Sequence, residues 1–478
     1  MSVIKPYVAI LRLLKFLLVV AGYGLAGLLV ALMPAAAQST SLAVSDDGHS
    51  LVTCEGKPFF YLVDTAWELL ARLNRDEAIR YLDDRKAKGF TVIQTAFLAL
   101  HQGPNAFGQM PVDYKRLRPI ISRQNSASPT SSVDWWDHAD FIIREATARG
   151  FFLAIAPFRQ QLAPPKKADA VRYGRFLGRR YRQFTNIIWS VGFDPSVEQI
   201  NAQQDLYRAL AQGIAQGVSG RKGDYGPVFM TFHPSGLNAS SRWFHNDAFL
   251  DFNLIQTGHG RDTDSWRLIT ADYEKKPPKP ILDAEATYEA HPLANVRDAQ
   301  NQKVLSDDSD IRKYAYWNLF AGACGHTYGH HSVWQMHSPA RGGGYGAVAS
   351  WSEALNAPGA GQMRHVRTLM ESRPFLERVP DQTLLADTLS GANHSRALRG
   401  RSYAFIYSPQ GHPFAVVMGK ITGQAVRAHW FDPRTGTASV IGEFAEGILP
   451  FTPPTSGREN DWVLVLDDAS ESRPAPSR

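Results

Sequence analysis

The sequence runs to 478 residues with two cysteines, Cys54 and Cys324, which excludes a disulfide-built scaffold and any Cys-rich metal site. Its formal net charge is +6, and the three basic residues and no acidic ones in the first 37 positions leave +3 for the rest. That is too weak and too scattered to argue for a nucleic-acid partner or a membrane surface.

At the N-terminus, Lys5, Arg12 and Lys15 precede an apolar run from Phe16 to Met33, and Ala35-Ala36-Ala37 offers small residues before Gln38. That layout reads as a secretory signal peptide over residues 1–37, with export to the periplasm or the exterior. The run is long for a signal, so an uncleaved anchor is the competing reading. No later stretch approaches the ~20 apolar residues of a membrane span, so no stable insertion is expected after cleavage. The remaining chain of about 440 residues is enough for one large and one small domain.

From residue 59 to about 371, apolar β-rich runs alternate with helical patterns. The predicted strands are Phe59–Val63, Thr91–Phe97, Phe151–Pro157, Asn186–Val191, Val228–His233, Asp251–Gln256, Pro280–Asp283 and His326–His330. Between them Arg75–Lys88, Asp137–Arg149, Ala168–Arg182, Ala202–Gln216, Asp264–Lys275 and Ile311–Gly322 carry helical periodicity, the first opened by Asn74 as N-cap. Such alternation means a parallel sheet with crossover helices, and eight repeats suit a (β/α)8 TIM barrel over residues 38–378. A doubly wound sheet is the alternative, but no Gly-rich phosphate turn follows the first strand.

The connection from Phe97 to Asp134 is unusually long. It leaves the C-terminal end of a strand, so it is expected to contribute, through Asn105, to a substrate cleft. After Arg373-Pro374 the pattern becomes short strands: Thr383–Leu389, Ser402–Tyr407, Phe414–Met418, Ala425–Phe431, Ala438–Ile441 and Trp462–Leu466. These predict a small antiparallel β-sandwich over 379–468, joined without a flexible linker, with Trp430 and Trp462 in its core. The polar, Pro-rich tail 469–478 is expected to be disordered.

In a TIM barrel the catalytic candidates are polar residues at the C-terminal ends of strands. Asp194 after the fourth strand and Glu285 after the seventh face each other across a barrel mouth. Glycoside hydrolysis needs such a pair: one protonated carboxyl for the leaving oxygen and one ionised carboxylate, ~5–5.5 Å apart in retaining enzymes and ~6.5–9.5 Å in inverting ones. Phe193 could desolvate Asp194, and Asp283 is expected to face structure rather than substrate.

The expected substrate-binding residues are Asp64 and Trp67 after the first strand, Asn105, His233 after the fifth, and Gln256 and His259 after the sixth. Tyr288, His330, His331 and Trp334 complete the set. The surplus of flat rings, 11 Trp and 17 Tyr in all, would suit stacking on sugars. The histidines also invite a metal-hydrolase reading, but neither H-E-x-x-H nor a paired-Cys motif occurs, so no metal and no cofactor is expected. A non-catalytic carbohydrate- or matrix-binding protein is the other rival, though it would not need two facing carboxylates.

From Leu51 to Asp467 the chain resembles the apiosidase-like glycoside hydrolases, a barrel family with a C-terminal β-domain labelled collagen-binding. The matching motifs are the stretch Phe59 to Trp67 (FFYLVDTAW), Asn186 to Asp194 (NIIWSVGFD), Lys279 to Glu285 (KPILDAE) and His326 to Trp334 (HTYGHHSVW). The resemblance implies a carbohydrate substrate and makes Asp194 and Glu285 the catalytic pair, with Asp194 as acid/base and Glu285 as nucleophile or its inverting counterpart. Two departures stand out. The family more often has Gly-Gly-Asp where this chain has Gly192-Phe193-Asp194, and Gly-Glu-Pro where it has Ala284-Glu285-Ala286. Both carboxylates are kept, but Phe193 alters the cleft wall and weakens any transfer of apiose specificity.

Overall fold

The computed structural model describes residues 41–98, 102–121, 134–159, 166–341 and 345–476. The expected signal peptide and cleavage site lie outside the described residues, as does part of the long 97–134 connection. Among the described residues no helix is long and apolar enough to cross a membrane.

Eight parallel strands organise the first part: β1 (Tyr61–Thr65), β2 (Val92–Ala96), β3 (Phe152–Ala156), β4 (Ile187–Ser190), β5 (Phe229–Thr231), β6 (Asn253–Gln256), β7 (Ile281–Asp283) and β8 (Gly325–Tyr328). Six form one sheet in the order β8-β1-β2-β3-β4-β5, and β6 pairs with β7 in another. Single backbone hydrogen bonds cross both seams: Asp251 N–H to the Met230 carbonyl and Cys324 N–H to the Ile281 carbonyl, each 2.9 Å. Consecutive strands are neighbours and β8 lies beside β1, an order without the reversal of a doubly wound sheet.

Both faces of these strands are covered, which is why they read as continuous apolar runs. Tyr61, Val63, Val92, Ala154, Ile188, Leu254 and Leu282 pack together on one face. Leu62, Ile93, Leu153, Ile155 and Trp189 pack on the other, against α1 (Arg75–Ala87), α2 (Trp135–Ala148), α3 (Lys167–Tyr181) and α4 (Val197–Ser219). Polar caps fix the helix starts: α1 begins at the predicted Arg75, whereas α2 begins two residues before the predicted Asp137 and α4 five before the predicted Ala202. Asn74 with Glu77, Asp134 with Asp137 and Ser196 with Gln199 each form a capping box. α5 (Ser265–Tyr273) follows β6, α6 (Asp308–Phe320) follows β7 and α7 (Pro358–Glu371) follows β8.

The C-terminal part is a six-stranded antiparallel sheet from Val379 to Asp468, with a two-stranded ribbon, Phe414–Val417 and Ile448–Phe451, on one face. Leu384, Phe414, Val416, Trp430, Phe451 and Trp462 fill the space between them. The other face packs on α6. Tyr407 stacks on Tyr316 (4.9 Å between centroids), and Leu398, Phe405 and Val463 join the core of the helical layer. Two buried ion pairs lock the contact: Arg312 to Asp461 and Arg373 to Asp467. Cys54 is exposed, Cys324 is buried, and the two are unbridged.

Some expectations need correction. Thr383–Leu389 is not a strand: Asp381 caps a short turn at Gln382–Leu384, and the ladder position falls to Arg396–Arg399. The hairpin Pro292–Arg297/Lys303–Leu305 was not foreseen. Nor is the tail from Ala469 loose as far as it is described. Ala469 N–H bonds Ala425, Arg473 reaches Ser402, and the Pro474 carbonyl accepts from Arg373.

Candidate active site

The chain leaves β4 through Val191-Gly192-Phe193-Asp194. Val191 N–H continues the ladder to the Thr231 carbonyl (2.8 Å). Gly192 lies so close to Phe232 that a Cβ would sit 2.4 Å from its ring, so only glycine lets the chain turn there. Phe193 then stacks on Trp67, and Asp194 adopts a left-handed backbone (φ 52) that lifts its carboxylate over the strand ends. Opposite, β7 ends at Asp283. Glu285 is held by Ala284 N–H on the Ile255 carbonyl (2.8 Å) and Gly258 N–H on its own carbonyl (3.0 Å).

Both carboxylates line one cavity of about 150 Å³, walled by Trp67, Phe193 and Trp334. Burial pushes Asp194 up to about 7, reinforced by the negative charge of Glu285. Arg159, whose Nη2 is 3.9 Å from Asp194 Oδ2, and a hydrogen bond from Gln256 pull the other way. Burial also raises Glu285, opposed by His233, Tyr288, Gln256 and Arg159. The negative charge of Glu285 is one of the causes that hold Asp194 up, as expected of two carboxylates that share one site.

Imidazoles crowd Glu285. His259 Nε2 is 3.3 Å from Oε1 and His233 Nε2 is 3.6 Å from Oε2. Burial lowers both histidines, His259 to about 4, so they are neutral near pH 7. His259, His291 and His331 pack ring against ring rather than converging on a point. Among the described residues no group of three or more His, Cys, Asp or Glu is placed to hold a metal ion.

Of the residues singled out from sequence, Asp194, Glu285, Trp67, His259, Tyr288 and Trp334 line this cavity. His233 and Gln256 reach the carboxylates from behind it, and His331 donates Nε2–H to the Tyr345 carbonyl on its rim (2.8 Å). Three lie elsewhere. Asp64 is fully buried beneath α1, bonded to Arg85 (2.8 Å) and Tyr81, because its place in the strand alternation turns it toward the helices. Asn105 folds its own loop, accepting from Phe107 and Gln109 N–H. His330 caps the short helix His331–Trp334 by accepting from Ser332 N–H (3.0 Å). Asp283 is likewise structural, held by Thr257 (2.6 Å) and Asn318 (3.0 Å).

Three lining residues escaped the sequence reading: Arg159, His291 and Tyr345. Arg159 stands three residues beyond β3, where a strand-end scan would have caught it. Tyr345 was signalled by glycines on both sides. His291 lay beyond a turn with no periodic pattern.

Known proteins resemble the chain over most of its length. The profile described as "Apiosidase-like, catalytic domain" matches residues 45–377, and "Putative collagen-binding domain of a collagenase" matches 379–467. A solved structure titled glycoside hydrolase is 35% identical, with 91% of this chain and 98% of that one covered at a TM-score of 0.82. A glycoside hydrolase family 5 structure from Bacteroides vulgatus is 32% identical, with 90% and 94% covered and a TM-score of 0.80. No curated protein sequence matches the chain.

Proposed function

The chain belongs to the apiosidase-like family of glycoside hydrolases, and on that premise we propose that Asp194 and Glu285 are the pair with which it cleaves O-glycosidic bonds of a plant or microbial polysaccharide or glycoside. The observation that carries this reading is one cavity holding both carboxylates, in which burial and the charge of Glu285 raise Asp194 to about 7.

Asp194, protonated near neutral pH, gives its proton to the departing glycosidic oxygen. Glu285 stays ionised and either attacks the anomeric carbon or draws a proton from water on the opposite face. His259 serves Glu285. Its Nδ1 accepts from Tyr288 N–H, which leaves the ring proton on Nε2 facing the carboxylate. At about 150 Å³ the cavity is half the ~300 Å³ at the low end for drug-sized ligands, which favours a single sugar ring between Trp67 and Trp334.

On this reading the eight strands close as one (β/α)8 barrel, with the active site at the C-terminal ends of its strands as that fold requires. The C-terminal sandwich supports the barrel, since Trp430 and Trp462 are spent in its core rather than offered to ligand. Export through the N-terminal 37 residues belongs to the same proposal.

Aryl glycosides test the roles. Glu285→Gln should abolish turnover on every substrate. Asp194→Asn should abolish it on natural glycosides but spare those with an activated aryl leaving group, which needs no proton. The opposite pattern reverses the roles, and near-wild-type rates in both variants would place the chemistry elsewhere.

A further inference from the structure

Three imidazoles pack in a row, His259 beside Glu285, then His291, then His331, and the hydrogen bonds each makes decide which nitrogen carries its proton. His259 is protonated on Nε2, as above. His331 donates Nε2–H to the Tyr345 carbonyl, and its Nδ1 accepts from the Trp334 indole N–H (3.4 Å). His291 packs between them, face to face with His259 (3.8 Å) and edge-on to His331 (4.5 Å). Its Nδ1 lies 2.9 Å from the Pro292 carbonyl, which only accepts, so the proton is on Nδ1.

A neutral imidazole with that proton spent keeps a bare lone pair on its other nitrogen. Burial and the two flanking imidazoles push His291 down to about 2, so the lone pair persists at any ordinary working pH. The ring lines the catalytic cavity, and among the described residues Nε2 meets no protein donor. The rest of the lining offers other chemistry. Arg159 presents donors, His259 turns its Nε2–H to Glu285, and Trp67, Phe193 and Trp334 present apolar faces. Tyr288 and Tyr345 carry hydroxyls that can donate as well as accept, and both carboxylates are committed to the reacting atoms.

We propose that His291 Nε2 accepts the hydroxyl proton of one non-reacting hydroxyl group of the bound sugar, so that the enzyme selects a glycone carrying a hydroxyl at that position over its deoxy counterpart. This rests on the hydrolase reading above and names a feature of its substrate. A deoxy sugar would leave the lone pair desolvated and unpaired, a loss that discriminates more sharply than apolar contact does.

The test starts from a panel of 4-nitrophenyl glycosides of common pentoses and hexoses. For the best-cleaved member and its monodeoxy congeners, kcat/KM is measured with wild type, His291→Phe and His291→Asn. His291→Phe should lose about 10–100-fold on the parent glycoside, the range for one unpaired buried group. Removing one particular hydroxyl should cost the wild type a similar factor and cost His291→Phe nothing more. His291→Asn, which restores an acceptor, should recover part of the loss.

Equal kcat/KM for wild type and His291→Phe, or a loss in His291→Phe that is the same for every congener, overturns the inference and leaves the hydrolase reading intact. Imidazole ¹⁵N shifts of the wild-type protein give a check that needs no substrate. Nδ1 protonated and Nε2 bare between pH 5 and 8 supports the assignment. Nε2 protonated overturns it, whether or not any glycoside in the panel is cleaved.

Discussion

Trp67 and Phe193 stack face to face, ring centroids 3.9 Å apart at 25°, and together they form the apolar wall beside Asp194. The backbone supplies one half of Asp194's position through its left-handed φ, and this wall supplies the other by keeping water from the carboxyl. Desolvation is the leading cause of its raised pKa, so the wall and the acid's proton are one device.

Phe193→Ala should therefore let water in and lower the Asp194 pKa. An acid catalyst works while protonated, so kcat/KM should fall as pH rises through about 7 in the wild type. In Phe193→Ala that alkaline limb should move down, by up to about one unit, while the acid limb set by Glu285 moves less. A pH profile on one aryl glycoside measures both limbs. An unmoved alkaline limb would mean that the wall does not govern the proton.

The same shift has a sign for stability. Asp194 titrates at about 7 in the fold, against 3.8 as an unperturbed group, so folding favours its protonated form. As pH rises from about 4 to 7 the unfolded chain gives up that proton first, and the fold loses stability. Asp194→Asn, inactive on natural glycosides, should be the more stable protein at pH 8, on the order of 1 kcal/mol or about 1–3 °C in Tm. At pH 4 the two should melt together. Thermal melts at both pH values check this, and a variant less stable at pH 8 contradicts it.

Much of this was readable in the sequence, and the exceptions have physical causes. Asp194 and Glu285 stood out because a barrel puts strand ends at its mouth. Asp64 satisfied the same rule and was misplaced. In register it pairs with Ile93 and Tyr328, and it sits between Val63 and Thr65, so alternation alone turns it toward α1. Arg85, one of the largest fully buried side chains, gave no sign in sequence that it would claim Asp64. His291 follows Ala290, whose φ of 57 reverses the chain, and no periodicity survives such a turn. In the C-terminal part, charged ends hid the strand Arg396–Arg399, while Thr383–Leu389 had β-like composition that the Asp381 cap overrode.

The contact between the two parts should matter as much as either core. Arg312, on α6, is 1% exposed and bonds Asp461 through both Nε and Nη2, with Tyr407 donating to the same carboxylate. Removing one partner of a buried pair strands the other charge at ~3–5 kcal/mol, whereas replacing both with apolar groups is often neutral. Arg312→Met should be strongly destabilised in urea melts, and Arg312→Met with Asp461→Leu should regain most of the loss. Deleting residues 379–478 bares Tyr316 and Phe320 on the same helix and should give insoluble protein. A soluble, fully active truncation would show that the N-terminal part does not depend on this contact.

Tyr345 separates stability from activity most cleanly. Its backbone is left-handed (φ 65), a conformation that costs a non-glycine residue of order 1 kcal/mol or more, and its side chain is 63% exposed. Little packing is therefore lost by removing it, and glycine takes that backbone without strain. Yet its ring lies 5.5 Å from Trp334 on the cavity rim, and its carbonyl is what orients His331. Tyr345→Gly keeps the carbonyl and deletes only the ring. Its Tm should hold or rise by about a degree, while KM for a glycoside substrate rises several-fold and kcat changes little. That split identifies a ring used to bind sugar, because a structural residue would lower Tm and kcat together. A fall of several degrees in Tm with KM unchanged would assign Tyr345 to the loop's folding and remove it from the binding site.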